Sequence, residues 1–112
     1  MRQKKDLQGR RMNIFWTNRA KSDLENLEDF LIENWGFKVV EDFYEILEKK
    51  IALLENENLI HQKYEGTDFH RLLVTKHNSI IYEITEHQIN LLHMINNFRN
   101  PEHNYNLITK KS

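Results

Sequence analysis

The sequence predicts an α+β domain in which a helical hairpin lies on one face of an antiparallel sheet. Three observations carry that expectation. Apolar residues recur at spacings of three and four between Ala20 and Leu54, the period of a helix. They alternate with a period of two between Leu72 and Ile95, the period of a strand. A single glycine, Gly36, divides the first pattern. At 112 residues the chain is one domain long, so both halves must share one core.

Ile14-Phe15-Trp16 is short, aromatic and β-prone, and reads as the first strand. Thr17 follows as an N-cap, whose hydroxyl can accept from a free amide of the next turn. Ala20, Leu24, Leu27, Leu31 and Trp35 then form one stripe, with Asp23, Glu25, Glu28, Asp29 and Glu33 around the rest. Trp16 and Trp35 are expected to pack against the two ends of this helix. Gly36 stands where a glycine past the last turn ends a helix. Val40, Phe43, Leu47, Ile51 and Leu54 form a second stripe on an antiparallel helix.

Residues 56–68 are polar and read as a connecting loop with room for one short strand. With the termini, this loop is expected to be the mobile part. Leu72 and Val74 then alternate with Arg71, Leu73 and Thr75. His77-Asn78 reads as a hairpin turn in which Asn78 supplies a positive φ. Ile80, Tyr82 and Ile84 form the next apolar face, with Tyr82 in the core. After Glu86-His87-Gln88, the residues Ile89, Leu91, His93 and Ile95 are expected to share one face. Phe98-Arg99-Asn100-Pro101 closes the sheet, because proline cannot continue a central ladder. The divisions are a flexible basic arm over 1–11, a domain over 12–103 and a tail over 104–112.

Several function classes are excluded. Without cysteine there is neither a disulfide nor a thiolate zinc site. Three glycines, at 9, 36 and 66, build no phosphate-binding loop or dinucleotide fingerprint. His87 and His93 on one strand lie about 20 Å apart and do not chelate one ion. No metal and no cofactor is expected. No apolar run approaches the ~18 residues of a membrane helix, and no secretory signal opens the chain, so the cytoplasm is the expected location. Residues 1–11 carry five Lys and Arg against one Asp, whereas the rest carries eleven against sixteen acids. The body is therefore acidic, which disfavours broad charge-driven binding to nucleic acid.

The charges that stand out are Arg71, Lys76, Glu83, His93 and Arg99. An arginine on a sheet face either bridges to a surface carboxylate or clamps a phosphate through its planar fork. His93 reads as a packed, hydrogen-bonded ring rather than a general base.

Trp16-Thr-Asn-Arg-Ala20, Asp23-Leu24, Leu27, Phe30-Leu31 and Trp35-Gly36 together resemble the opening of RelE/ParE-type toxins. These are the toxin halves of bacterial type II toxin–antitoxin pairs. Phe69-His-Arg71-Leu-Leu-Val74, Ile80-Ile-Tyr82-Glu-Ile84 and Asn100-Pro101 continue the resemblance in the order β-α-α-β-β-β. It implies a small toxin neutralised by a cognate antitoxin, whose C-terminal segment wraps it. The natural seat for that segment is the groove between helical hairpin and sheet.

The resemblance implies two mechanisms. RelE-like members cut messenger RNA on the ribosome, holding the scissile phosphate with basic residues while a ribose 2′-hydroxyl attacks it. ParE-like members bind and inhibit DNA gyrase. Arg71 matches the family's sheet arginine, but anchoring on Asn100-Pro101 puts Phe98 where many relatives carry a second arginine. Arg99 is one residue out of register, hence on the opposite strand face. On a nuclease reading the candidates are Arg71, Lys76, His77, Arg99 and His103, with Tyr105 as a further proton acceptor. On a binding reading, Arg71, Glu83, His93, Phe98 and Arg99 contact the target or the antitoxin. The acidic body and the displaced arginine favour the ParE-like reading over the mRNA endoribonuclease.

Overall fold

In the computed structural model, which describes residues 12–56, 61–86 and 88–98, six elements follow one another. They are β1 (Asn13–Trp16), α1 (Asn18–Trp35), α2 (Phe37–Leu54), β2 (His70–Leu73), β3 (Asn78–Thr85) and β4 (Gln88–Asn96). The predicted fold class is borne out. The strands form one sheet in the order β1-β4-β3-β2, and β1 pairs with β4 in parallel. The sheet is thus mixed rather than wholly antiparallel. The reason is topological: two helices carry the chain back over one face, so β1 arrives beside the last strand pointing the same way.

Thr17 locks that arrangement. Its hydroxyl oxygen accepts from the Ala20 amide at 3.1 Å, capping α1, and its O–H donates to the Leu91 carbonyl at 2.7 Å. At the other end, Gly36 has φ 89° and ψ 179°, a conformation that is essentially glycine's alone. Its amide donates to the carbonyls of Ile32 and Leu31, so one residue ends α1 and begins α2.

The helical hairpin covers one sheet face. Ala20, Phe43, Leu47 and Leu54 pack there against Ile80, Tyr82, Ile89, Leu91 and Met94. A second cluster, Ile81 and Ile95 under Tyr64 and Phe69, lies on the opposite face. Trp16 joins the main core as predicted, but Trp35 does not: it is 61% exposed and meets only the edge of Phe30. Among the described residues the stripe's last member thus makes a ring contact within its own helix rather than with the sheet.

The strands depart from the predicted alternation at one point. Ile81 pairs with His93 whereas Tyr82 pairs with Leu91, which leaves Leu92 as the extra residue of a bulge. Past the bulge the faces exchange. Met94 takes the core position, and Ile95 joins Ile81 on the opposite side. The hairpin between β2 and β3 also differs from expectation. No non-glycine residue among those described has a positive φ, and Asn78 opens β3. The turn is instead closed by Thr75, whose hydroxyl accepts from the amides of His77 and Asn78.

Part of the predicted 56–68 loop pairs with the edge of β2. Lys63 bridges His70, the Tyr64 amide donates to Phe69, and the Arg71 amide donates to Gln62. This covers an edge that would otherwise be open for pairing. The N-terminal arm, Arg99, Asn100, Pro101, His103, Tyr105 and the C-terminal tail lie outside the described residues.

Candidate functional site

Two surfaces carry the sequence-predicted residues. On the sheet face away from the helices, Arg71 is half-buried and its fork is engaged on two sides. Nε–H donates to Ser79 Oγ at 3.1 Å, and Nη2–H donates to Asn97 Oδ1 at 3.0 Å. The Ser79 hydroxyl, itself fully buried, donates to the same Asn97 oxygen at 2.7 Å. The Asn97 amide group then donates to the carbonyls of Thr75 and Lys76, and its backbone N–H to the carbonyl of His77. One guanidinium thus ties β2, β3 and the end of β4 to the β2–β3 turn. Among the described residues its side-chain partners are neutral hydrogen-bonding groups, and no carboxylate pairs with it.

Lys76 and His77 stand exposed on that turn, and the His77 ring meets the edge of Phe98 at 5.2 Å. Phe98 is 69% exposed. Arg71, Lys76, His77 and Phe98 therefore gather at one end of the sheet. Glu83 lies farther along the same face, where its carboxylate accepts from the Asn90 amide at 3.0 Å. His93 is not with them. It lies against α1, with Nδ1 3.9 Å from the Asp23 carboxylate. The expectation of a packed ring holds for His93, but no hydrogen bond reaches its buried Nδ1 among the described residues. Burial, reinforced by Arg19, pulls its pKa below the ordinary histidine value, and Asp23 opposes that shift.

Helical periodicity marks Asp23 only as one of the acidic residues around the first apolar stripe, not as an organising residue. One of its oxygens accepts from the Met94 amide at 3.0 Å, beside the bulge, and the other accepts from Arg19 Nε at 3.0 Å. A bulge breaks the ladder locally, and this carboxylate supplies the missing acceptor. Ser79 and Asn97 were missed for a similar reason, since a network across three strands depends on a register that periodicity does not give.

A further cluster joins His61, His70 and Tyr82. Burial pushes the Tyr82 hydroxyl up to about 12, and this hydroxyl shares a hydrogen bond of 2.7 Å with His61 Nδ1. The His70 ring stacks on Tyr82 at 5.4 Å and lies 5.6 Å from His61. Burial holds both histidines below their ordinary value of 6.5; at His70 the neighbouring His61 and Lys63 act in the same direction. The folded chain therefore takes up these protons only at lower pH than the unfolded chain does. The contribution of His61, His70 and His93 to stability is fully present above about 6.5 and falls as pH drops below it. Urea midpoints measured from pH 7.5 to pH 5 are expected to decline below that point, and the decline is expected to shallow in His70→Asn.

The second surface is a groove of about 510 Å³ on the helix side, lined by Trp16, Leu24, Tyr44, Leu47, Ile51 and Ala52 with Glu48 and Glu55. It lies where β1 meets the two helices. The Tyr44 hydroxyl donates to Glu28 at 3.0 Å, and burial followed by that carboxylate pushes its pKa up to about 12. The groove is apolar along its length and acidic at its rim, a shape that fits an amphipathic segment. Neither surface gathers three metal-ligating side chains among the described residues, and no helix there is long and apolar enough to cross a membrane.

Comparison with known proteins places this geometry. No curated protein matches by sequence. Among solved structures, a chain of the chromosomal ParDE TA system from P. aeruginosa superposes with a TM-score of 0.65 at 21% identity, over 78% of this chain and 97% of that one. The YoeB dimer from Staphylococcus aureus gives 0.49 at 13% identity, over 74% and 93%. The conserved hypothetical protein HP0894 from Helicobacter pylori gives 0.48 at 15%, over 76% and 93%. The sequence model described as the ParE toxin of type II toxin–antitoxin system, parDE, matches residues 14–95, which span all six elements but the first residue of β1 and the last of β4. The chain therefore belongs to the ParE toxin family of type II toxin–antitoxin systems.

Proposed function

We propose that this toxin arrests growth by binding a protein target such as DNA gyrase, and that a cognate antitoxin neutralises it by seating an amphipathic segment in the helix-side groove. The observation that supports a binding mode is the state of Arg71. Nε and Nη2 of its guanidinium are spent on Ser79 and Asn97. Two of its five N–H donors are thus committed within the protein, and they hold the guanidinium in one orientation along the sheet instead of leaving both edges of the fork to a phosphate. Phe98, an exposed aromatic ring, stands where the nuclease reading wants a second cation. An exposed ring beside a fixed arginine suits a protein interface, where aromatic residues and arginine carry most of the binding energy.

The test is induced expression in a bacterial host, with DNA and protein synthesis followed in parallel, beside a supercoiling assay with purified gyrase. The expected result is early loss of DNA synthesis and inhibited supercoiling. Early loss of protein synthesis with cleaved messages would instead establish the mRNA endoribonuclease.

A further inference from the structure

The helix-side groove follows α2 from Glu55 back to Tyr44. Its lining includes two carboxylates, Glu48 and Glu55, and no lysine or arginine. The chain enters the described structure at one end of this groove, because the Met12 amide donates to the Glu55 carbonyl at 3.1 Å. The eleven residues before Met12 are the most basic stretch of the sequence, with Arg2, Lys4, Lys5, Arg10 and Arg11 against Asp6. They also bring two apolar side chains, Met1 and Leu7. A basic segment with an apolar residue is therefore tethered at the acidic end of an apolar groove.

We propose that residues 1–11 dock in this groove in cis, with Arg10 and Arg11 near Glu55 and Glu48 and Leu7 over the apolar floor. The reach is sufficient. Eleven helical residues from Tyr44 to Glu55 rise about 16 Å, a distance that about five extended residues cover. Exposed ion pairs are individually weak, but the tether replaces affinity with proximity. A contact with a dissociation constant of about 0.1 mM between separate molecules is about nine-tenths occupied at an effective concentration of about 1 mM. An antitoxin segment entering the same groove has to displace the arm first. The docking itself is a property of the toxin alone and does not depend on the growth-arrest reading.

Trp16 lines the groove and serves as the reporter. In a Trp35→Phe background it is the sole tryptophan of the full chain, and acrylamide quenching reads its accessibility. Substituting Arg10→Glu and Arg11→Glu is expected to raise the quenching constant at least about twofold, and Glu48→Arg with Glu55→Arg to do the same. Combining the two pairs restores the opposite charges and is expected to restore shielding. Without any charge substitution, raising salt from about 0.05 M to about 1 M is expected to open Trp16 in the same way, since screening acts on the arm's charges. Quenching that ignores both the arginine substitutions and salt would overturn the proposal. So would shielding that disappears on dilution, which would assign the groove to a second copy of the chain.

Discussion

Ala52→Trp is expected to weaken antitoxin binding at least about 100-fold, or about 2.7 kcal/mol, while leaving the toxin folded. Ala52 is exposed on α2 and lines the groove, so an indole there projects into the space a partner segment would occupy. It displaces no core side chain, unlike a change at Leu47, which is only 3% exposed. Surface substitutions of this kind shift stability by no more than about 0.5 kcal/mol, and tryptophan is tolerated in helices. Titration calorimetry against the purified antitoxin gives the affinity, and a thermal melt of the free variant checks the fold. Parental affinity would place the antitoxin's main contacts elsewhere, most simply on the Arg71 face.

Asp23→Ala is the largest expected loss of stability from a single polar side chain, about 2–3 kcal/mol. Its carboxylate is the acceptor for the Met94 amide and for Arg19, and its side chain is 15% exposed. Truncation leaves a partly buried N–H beside the bulge with no acceptor, which costs far more than the surface ion pair to Arg19 contributes. Asp23→Asn keeps an oxygen in place and is expected to recover most of the loss. Urea denaturation of the three proteins measures the series. Equal stability of Asp23→Ala and the parent would show that the bulge finds another acceptor.

These two sites mark where the sequence was legible and where it was not. Helix periodicity gave both helices and the glycine between them, because one stripe of apolar residues is a local property. Thr17 was readable as a cap for the same reason. What the sequence could not give was pairing: that β1 lies parallel to β4, and that Leu92 bulges and exchanges the two faces. Hydrophobicity is blind to that exchange, since Met94 and Ile95 are both apolar and either one could face the core. Arg71 was visible as an unusual charge, but its partners Ser79 and Asn97 are common polar residues on other strands. The groove was anticipated as a place between hairpin and sheet, whereas its acidic rim emerged only when α2 turned Glu48 and Glu55 toward Trp16.

The parallel pairing of β1 also sets an order of events during synthesis. Thr17 waits for Leu91, 74 residues later, before its hydroxyl finds that carbonyl. Helices α1 and α2 form from local contacts, but the sheet edge that seats β1 does not exist until β4 has left the ribosome. The growing chain therefore stays incomplete along its groove until β4 has emerged. Until then Trp16 has no strand beside it to hold it in place, so a segment that fits the groove meets a finished surface only once β4 is in position.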